Sequence, residues 1–539
     1  MKRELLIGMS DKKDAMRCSI SLLRAFSWVK AHEDTIRRTL LLTVIYLLPA
    51  LSILQPIVLD PDIWWHLRTG KWIVSNGALP VTDPFSVYGE GKPWIAYSWL
   101  FDVWMYGLVY TFGEQAIIFC TLAFSLLILM VLHKLLSGRV RDFTVLCGVL
   151  ALCSFALVKV FTPRPWLWTI LGVALTLNVI LAFREKKTCR WYWLLPVVYV
   201  LWANVHVQFV VGLGLLGLAC LAPILDHVAR SFSFKGLADV TWRSGQWRKL
   251  LGLAITCGLA TLANPYHVHV YSVVIDYASQ TGFRDVISEM QAPTFRSISD
   301  WALLVLFAYA LIVLGRRPFW SSFDVLLLSV AAYCAFRGQR EAWLLVIAAV
   351  SVIRSSGPHE SAMQPSGVQT IPLAPVALCV CMGVACLVGY LGLSNTKVQE
   401  NTAQLYPVQA ALFLEKQDYA GQLYNHFDWG GYLIWRLPDL KVSMDGRGHV
   451  HGETRVKQSV LTWNGGSHWK DDQDLNASEI VIAKKETALT AILRLDSRFH
   501  VAYEDQVAVV FARSEQRTEP IPSSTFLSST IAGALTRTW

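Results

Sequence analysis

A series of long apolar runs constrains this chain more than any other feature. A helix needs roughly 20 apolar residues to cross about 30 Å of hydrocarbon. Eleven stretches approach that length: 39–59, 115–136, 142–160, 165–183, 191–204, 208–225, 249–263, 301–315, 323–336, 342–353 and 371–393. Over 539 residues, 54% are apolar, 16% are charged and the mean hydropathy is +0.41, which excludes an ordinary soluble enzyme. The runs are too continuous for the ten-residue alternation of a porin, so the spanning elements are helices, which pair their own backbone groups in lipid.

Two stretches need internal breaks. Residues 191–225 as one helix would be about 52 Å long at 1.5 Å per residue, so this stretch, interrupted by the polar Asn204, His206 and Gln208, is expected to be two helices with a turn at Asn204. Arg337, Arg340 and Glu341 divide 323–353 in the same way. Lys and Arg counts near the span ends set the orientation. With a cytoplasmic N-terminus, the basic arm 1–38 and the alternate loops carry 24 of these residues on the inside, against nine on the outside. This requires 97–112 to lie at the interface instead of forming a twelfth span. Its Trp99, Asp102, Trp104, Tyr106 and Tyr110 suit that position.

The expected organisation is mainly α: a basic arm 1–38, a polytopic helical membrane domain 39–393 of about eleven spans, an extracytoplasmic α/β domain 394–515 and a tail 516–539. The first outer loop covers 60–114, and 354–370 reads as a cytoplasmic linker. No cleavable signal or internal repeat is evident. The eleven Cys all lie at or before residue 386, so no disulfide framework stabilises the outer parts. The net charge of +9 comes from the membrane part, with 33 basic against 22 acidic residues up to 393; it reflects topology and implies no nucleic-acid partner.

Charge alone fixes this topology, yet it gathers the unusual polar residues on one face. The first outer loop opens Asp60-Pro61-Asp62-Ile63-Trp64-Trp65-His66 and continues to Asp83-Pro84. Asn204 and His206 cap one hairpin, His267 follows another span, and Arg337 and Arg340 cap a third. A carboxylate at this depth can take a proton from an acceptor hydroxyl or amine. Arg and His can offset charge on a phosphate leaving group, and Trp faces can pack on sugar rings. The bland alternatives are turns at Asp-Pro, interfacial Trp anchors and snorkelling arginines.

At these residues the chain resembles the GT-C superfamily of integral-membrane glycosyltransferases, which includes protein mannosyltransferases, lipid A aminoarabinose transferases and oligosaccharyltransferases. More narrowly, the DPDIWWHLRTGKWI…LPVTDPFS and NHFDWGGYLIW…DGR strings are similar to an uncharacterised bacterial group within it. The resemblance implies a polyprenyl-phosphate-linked sugar donor, a glycan, lipid or protein acceptor, and inverting transfer on the outer face of the bacterial cytoplasmic membrane. By the same resemblance Asp60 or Asp62 acts as catalytic base, and a divalent metal, Mg or Mn, bridges them in some oligosaccharyltransferases. Substrate-binding candidates are His66, Trp64, Trp65, Asp83, Asn204, His206, His267, Arg337 and Arg340. The chain departs from better-known members in its Asp-Pro-Asp pair. The alternatives are a non-catalytic lipid or polysaccharide transporter and a cell-envelope assembly scaffold.

Residues 400–515 alternate helical and strand patterns, which favours a small α/β sandwich. Asn425, Asp428, Trp429, Asp445 and Arg447 fall just past expected strand ends, where α/β domains bind ligands. Gly430, Gly431 and Gly446 read as permitting tight turns there.

Overall fold

The computed structural model describes residues 32–53, 60–137, 139–140, 142–185, 191–231, 245–279, 282–355, 373–417, 419 and 421–514. The N-terminal arm up to residue 31, most of the 184–190 and 226–248 loops, nearly all of the 354–370 linker and the 516–539 tail lie outside the described residues.

Each of the eleven apolar runs forms a helix: Glu33–Ile53, Gln115–Leu136, Phe143–Leu157, Trp166–Arg184, Leu195–Val205, Phe209–Ser231, Gly245–Ala260, Ile298–Gly315, Ser322–Arg337, Ala342–Ser355 and Leu373–Leu391. Among the described residues, six helices are long and apolar enough by themselves to cross a membrane, and the chain is a multi-pass membrane protein. Ala342–Ser355 has only 14 residues, but it is buried from Ala342 to Ile353. A helix that is apolar all round and packed in the centre of a bundle has other helices, instead of lipid, as its surroundings. The second break falls where polarity placed it, at extended Gly338, but the first comes at extended His206: Asn204 stays in the Leu195–Val205 helix, because its amide bonds back to the Val200 carbonyl one turn earlier.

Side-chain contacts sort the loops into two ends of the bundle. At one end Glu185 pairs with Arg139 and Arg354, Arg317 pairs with Asp324, and Arg38 lies over Phe143. At the other, Arg164 meets Asp60, and Lys159 meets Asp300 and Gln339. The Trp99–Phe112 helix belongs wholly to this second end. Trp99 Nε1 donates to Asn204 Oδ1 at 2.9 Å, and Asn395 Nδ2 donates to the Phe112 carbonyl at 3.2 Å. With both of its ends on one side of the bundle, it is no span.

The C-terminal α/β unit has a five-stranded mixed sheet: β1 (Gln422–Asn425), β2 (Lys441–Val442), β3 (Ile480–Lys484), β4 (Phe499–Glu504) and β5 (Ala508–Arg513), in the order β2-β1-β3-β5-β4. β1 runs parallel to β2 and β3, whereas β5 is antiparallel to β3 and β4. The open edge of β2 is covered by the 60–114 loop, where Val87 N donates to Val442 O at 3.0 Å and Val442 N to Phe85 O at 3.3 Å. Covering an edge in this way removes a template for unwanted pairing.

The Phe427–Arg436 helix packs on Ile63–Asn76, which directly follows Asp62. None of Gly430, Gly431 and Gly446 has a positive φ, so tight turns are not their purpose. A Cβ on Gly431 would lie 2.7 Å from the Pro61 carbonyl oxygen, and one on Gly446 would overlap Asp62 Oδ1. Their role is close approach, which brings the C-terminal unit onto the Asp60-Pro61-Asp62 backbone.

Candidate functional site

The Asp-Pro-Asp segment ends in a short turn in which Asp62 N donates to Asp60 Oδ1 at 2.9 Å, and Ile63 starts a helix. Asp62 occupies the cap position without a side-chain cap bond, which leaves its carboxylate free to face the bundle. Arg164 stands opposite. Its Nε donates to both oxygens of Asp60 at 2.8 and 2.9 Å, and its Nη1 lies 3.0 Å from Asp62 Oδ2 and 3.0 Å from Glu289 Oε1. Arg340 Nη1 lies 3.6 Å from the same Glu289 oxygen. Both guanidiniums sit over the Trp166 ring, 4.7 and 5.4 Å from its centroid, and this shared cation–π surface holds two like charges side by side.

The cluster sets three carboxylates against two guanidiniums. Burial, with Asp60 and Glu289 adding to it, raises Asp62 to about 7 against the opposing pull of Arg164 and Arg340. Burial would raise Glu289 too, but Arg164 and Arg340 outweigh it and hold Glu289 low. Asp62 is therefore the member of the cluster most ready to accept a proton near neutrality. Its side chain is 19% exposed. Beside the cluster a cleft of about 160 Å³ is lined by Lys159, Val160, Trp166, Ser288, Glu289, Gln339 and Arg340. With a lysine and an arginine in its wall, this cleft suits a phosphate.

Sequence reasoning missed Arg164, Glu289 and Lys159 as site residues. Arg164 had a signal: it stands between Pro163 and Pro165 at the head of a span, a rigid presentation for one arginine. Glu289 and Lys159 reach the cluster only through the fold.

The other expected site residues divide. His66 Nδ1 is 2.6 Å from buried Asp102 Oδ1, which also accepts from Ser98 Oγ at 3.1 Å. Burial pushes Asp102 up and His66 down, so the two form one enclosed pair. Trp65 stacks on His66 at 3.5 Å between centroids, and its buried Nε1 has no hydrogen-bond partner among the described residues. Trp64 is fully buried, edge-on to Tyr406 and Tyr432, so it is neither an interfacial anchor nor a sugar platform. His206 is buried, with Nδ1 2.7 Å from Thr169 Oγ1 and its ring 6.4 Å from Tyr97. Tyr97 continues through Tyr277 OH at 3.3 Å to His449 Nδ1 at 3.1 Å.

Several others are engaged elsewhere. Asn204 accepts from Trp99 Nε1 and donates to the Val200 and Ala263 carbonyls, so its amide is occupied in bracing the hairpin. Arg337 is exposed and folds back on Tyr333 of its own helix, with Nη1 2.6 Å from the hydroxyl. His267 is exposed, at a φ of 47°, beside the Leu262 carbonyl. Neither residue joins the cluster.

Asp83, Asp445 and Arg447 form a second, closed centre. Arg447 Nη1 donates to Asp83 Oδ1 at 2.7 Å, while its Nε and Nη2 donate to Asp445 at 2.9 and 2.6 Å. All three side chains are completely buried, and the guanidinium lies over Phe85 and Trp94. This centre clamps the first outer loop to the C-terminal unit and leaves no room for a ligand. Asn425 ties the ends of β1 and β2 together, donating to Met444 O at 2.8 Å and accepting from Ser443 N at 3.1 Å. Trp429 Nε1 donates to the Leu405 carbonyl, and half-exposed Asp428 pairs with Lys484. The strand-end residues thus frame the unit.

A divalent ion bridging Asp60 and Asp62 would compete with Arg164 for their oxygens. No group of three His, Cys, Asp or Glu side chains set to hold a metal occurs among the described residues. As arranged, the pair does not fit that ion.

No protein-family model matches the chain, and no curated protein matches it. Similar solved structures include the oligosaccharyltransferase of Archaeoglobus fulgidus in its apo form, at 12% identity over 91% of this chain and 75% of that one, with a TM-score of 0.48. ArnT from Cupriavidus metallidurans, bound to undecaprenyl phosphate, is 13% identical over 89% of this chain and 98% of its own, with a TM-score of 0.46. The mycobacterial arabinofuranosyltransferase AftD is 12% identical over 89% of this chain and 41% of its own, also at 0.46.

Proposed function

We propose that this chain is a GT-C-type glycosyltransferase that moves a sugar from a polyprenyl-phosphate-linked donor to an acceptor hydroxyl or amine at the extracytoplasmic face of a bacterial cytoplasmic membrane. The observation that carries the reading is the meeting of Asp62 with Arg164, Glu289 and Arg340 beside a cleft of about 160 Å³ that also holds Lys159.

In this reading Lys159 and Arg340 hold the donor phosphate in the cleft. The acceptor oxygen or nitrogen attacks the anomeric carbon from the opposite side, a new bond to that carbon forms, and the carbon–oxygen bond to phosphate breaks. The polyprenyl phosphate leaves with the electron pair and the anomeric centre inverts. Asp62 takes the acceptor's proton, and Arg164 and Arg340 balance the charge that grows on the leaving phosphate. Arg164 is the counter-charge to Asp60 and Asp62 here, and no step passes through a metal.

The test uses the full chain in nanodiscs, radiolabelled sugars on polyprenyl phosphate, and bacterial membrane extracts as acceptors, with and without excess EDTA. Transfer by wild type in EDTA, abolished by Asp62→Asn, supports the reading. Unchanged transfer in Asp60→Asn, Asp62→Asn and the double variant overturns the base. Lipid translocation without transfer favours the transporter.

A further inference from the structure

Resting on that reading, we infer that the Asp445-Gly446-Arg447 loop is a wall of the active site, that Gly446 is a positioning residue for the Asp62 carboxylate, and that the Arg447 clamp holds this wall in register. Three observations converge. The Gly446 backbone lies so close to Asp62 that any side chain on it would collide with Oδ1, and its place for a Cβ is 3.4 Å from the unpartnered Nε1 of Trp65. The flanking residues are immobilised: Asp445 and Arg447 bond to each other, and Arg447 bonds to Asp83 from the same outer loop that carries Asp62. Two residues on, His449 is tied to Tyr277.

One side of Asp62 is thus closed by protein backbone, while on another Arg164 joins it to Glu289 in the wall of the cleft. A carboxylate closed in this way is kept poorly solvated and aimed at a single place, which is what a general base requires. The C-terminal unit therefore builds the reaction centre as well as any acceptor surface it carries.

Gly446→Ala forces the Asp62 carboxylate away from this wall and into greater contact with water. The expected result is a loss of about 100-fold in turnover, donor KM within about threefold, and an acid limb moved to lower pH. In an Asp62→Ala background the same change alters the residual rate by less than about twofold, because the two residues act as one unit. Wild-type turnover with an unmoved acid limb, or losses that multiply, overturns the inference. If the wild-type chain transfers no sugar, the functional reading falls, and chemical labelling decides the inference separately. Water-soluble carbodiimide with an amine should then modify Asp62 at least about fivefold faster in Gly446→Ala than in wild type, with exposed Asp439 as the unchanged control. Equal labelling of Asp62 in the two proteins overturns it.

Discussion

Two arginines in this protein each stand between aspartates of the first outer loop and a second acidic partner, and they do opposite things. Arg447 holds Asp83 and Asp445 in a site with no exposure, where the guanidinium's hydrogen bonds go to two carboxylates and its face to Phe85 and Trp94. Arg164 holds Asp60, Asp62 and Glu289 at the margin of a cleft. Residue types and distances are nearly the same. The difference lies in access: each centre holds one carboxylate more than it has guanidiniums, but the first is closed, whereas the second leaves Asp62 partly exposed. Buried ion pairs are costly to break and cheap to leave alone, whereas an under-neutralised carboxylate beside a cleft is ready to react.

Breaking each centre should show the contrast. The largest effect is expected from Asp62→Asn, which removes the proposed base and should lower sugar transfer by about 10²–10⁴-fold. Its thermal unfolding should stay near wild type, because the substituted side chain was the excess charge of its cluster. Arg447→Met should do the reverse to the fold: stranding Asp83 and Asp445 without their cation costs about 3–5 kcal/mol of stability, measured by denaturant unfolding in detergent. If Arg447→Met unfolds like wild type, the closed centre is not a clamp.

Acid sharpens the comparison further. Asp62 is raised to about 7, chiefly by burial, and a base works only as its anion. Transfer at saturating donor should therefore fall as pH drops through 7, about tenfold per unit below it. Asp445 is held far below the usual carboxylate range, since Arg447 and His451 overcome the effect of its burial. A depressed carboxylate contributes its stability in full above the unfolded value of about 4, and loses it only as pH falls through the folded one. Stability from the clamp should thus stay flat between pH 5 and 8 (about three units) while activity falls. Parallel loss of both would mean that acid acts on the fold.

How much of this could be read beforehand follows from range. The helices of the apolar runs, the division of the two long stretches, within two residues at His206, and the strands of the C-terminal unit were legible because each depends on local pattern: apolar length, polar interruption and alternation. The Asp60-Pro61-Asp62 segment was legible as a place of interest because two acids at a span end are unusual. Arg164, 102 positions beyond Asp62 and brought to it by tertiary packing, was not. The clamp failed for a related reason: Asp83, Asp445 and Arg447 carry the side chains of a ligand site, and only their complete burial shows that they face each other.

The smallest expected effect is the most discriminating, because it compares neighbours that composition cannot distinguish. Arg340 is three-quarters or more buried, pairs with Glu289 and lines the cleft, whereas Arg337, three residues earlier and before the break at Gly338, is exposed and spans back to Tyr333. A hydrogen bond to a charged group contributes about 1.5–3 kcal/mol, so Arg340→Ala should raise donor KM by about 10- to 100-fold. An exposed arginine on its own helix falls within about 0.5 kcal/mol, so Arg337→Ala should change KM by less than about twofold. Equal effects from the two would move the phosphate out of the Lys159–Arg340 cleft and towards the hairpin tip, where both arginines could reach it. A large effect of Arg340 alone ties donor binding to the open centre, and so to the access that separates it from the closed one.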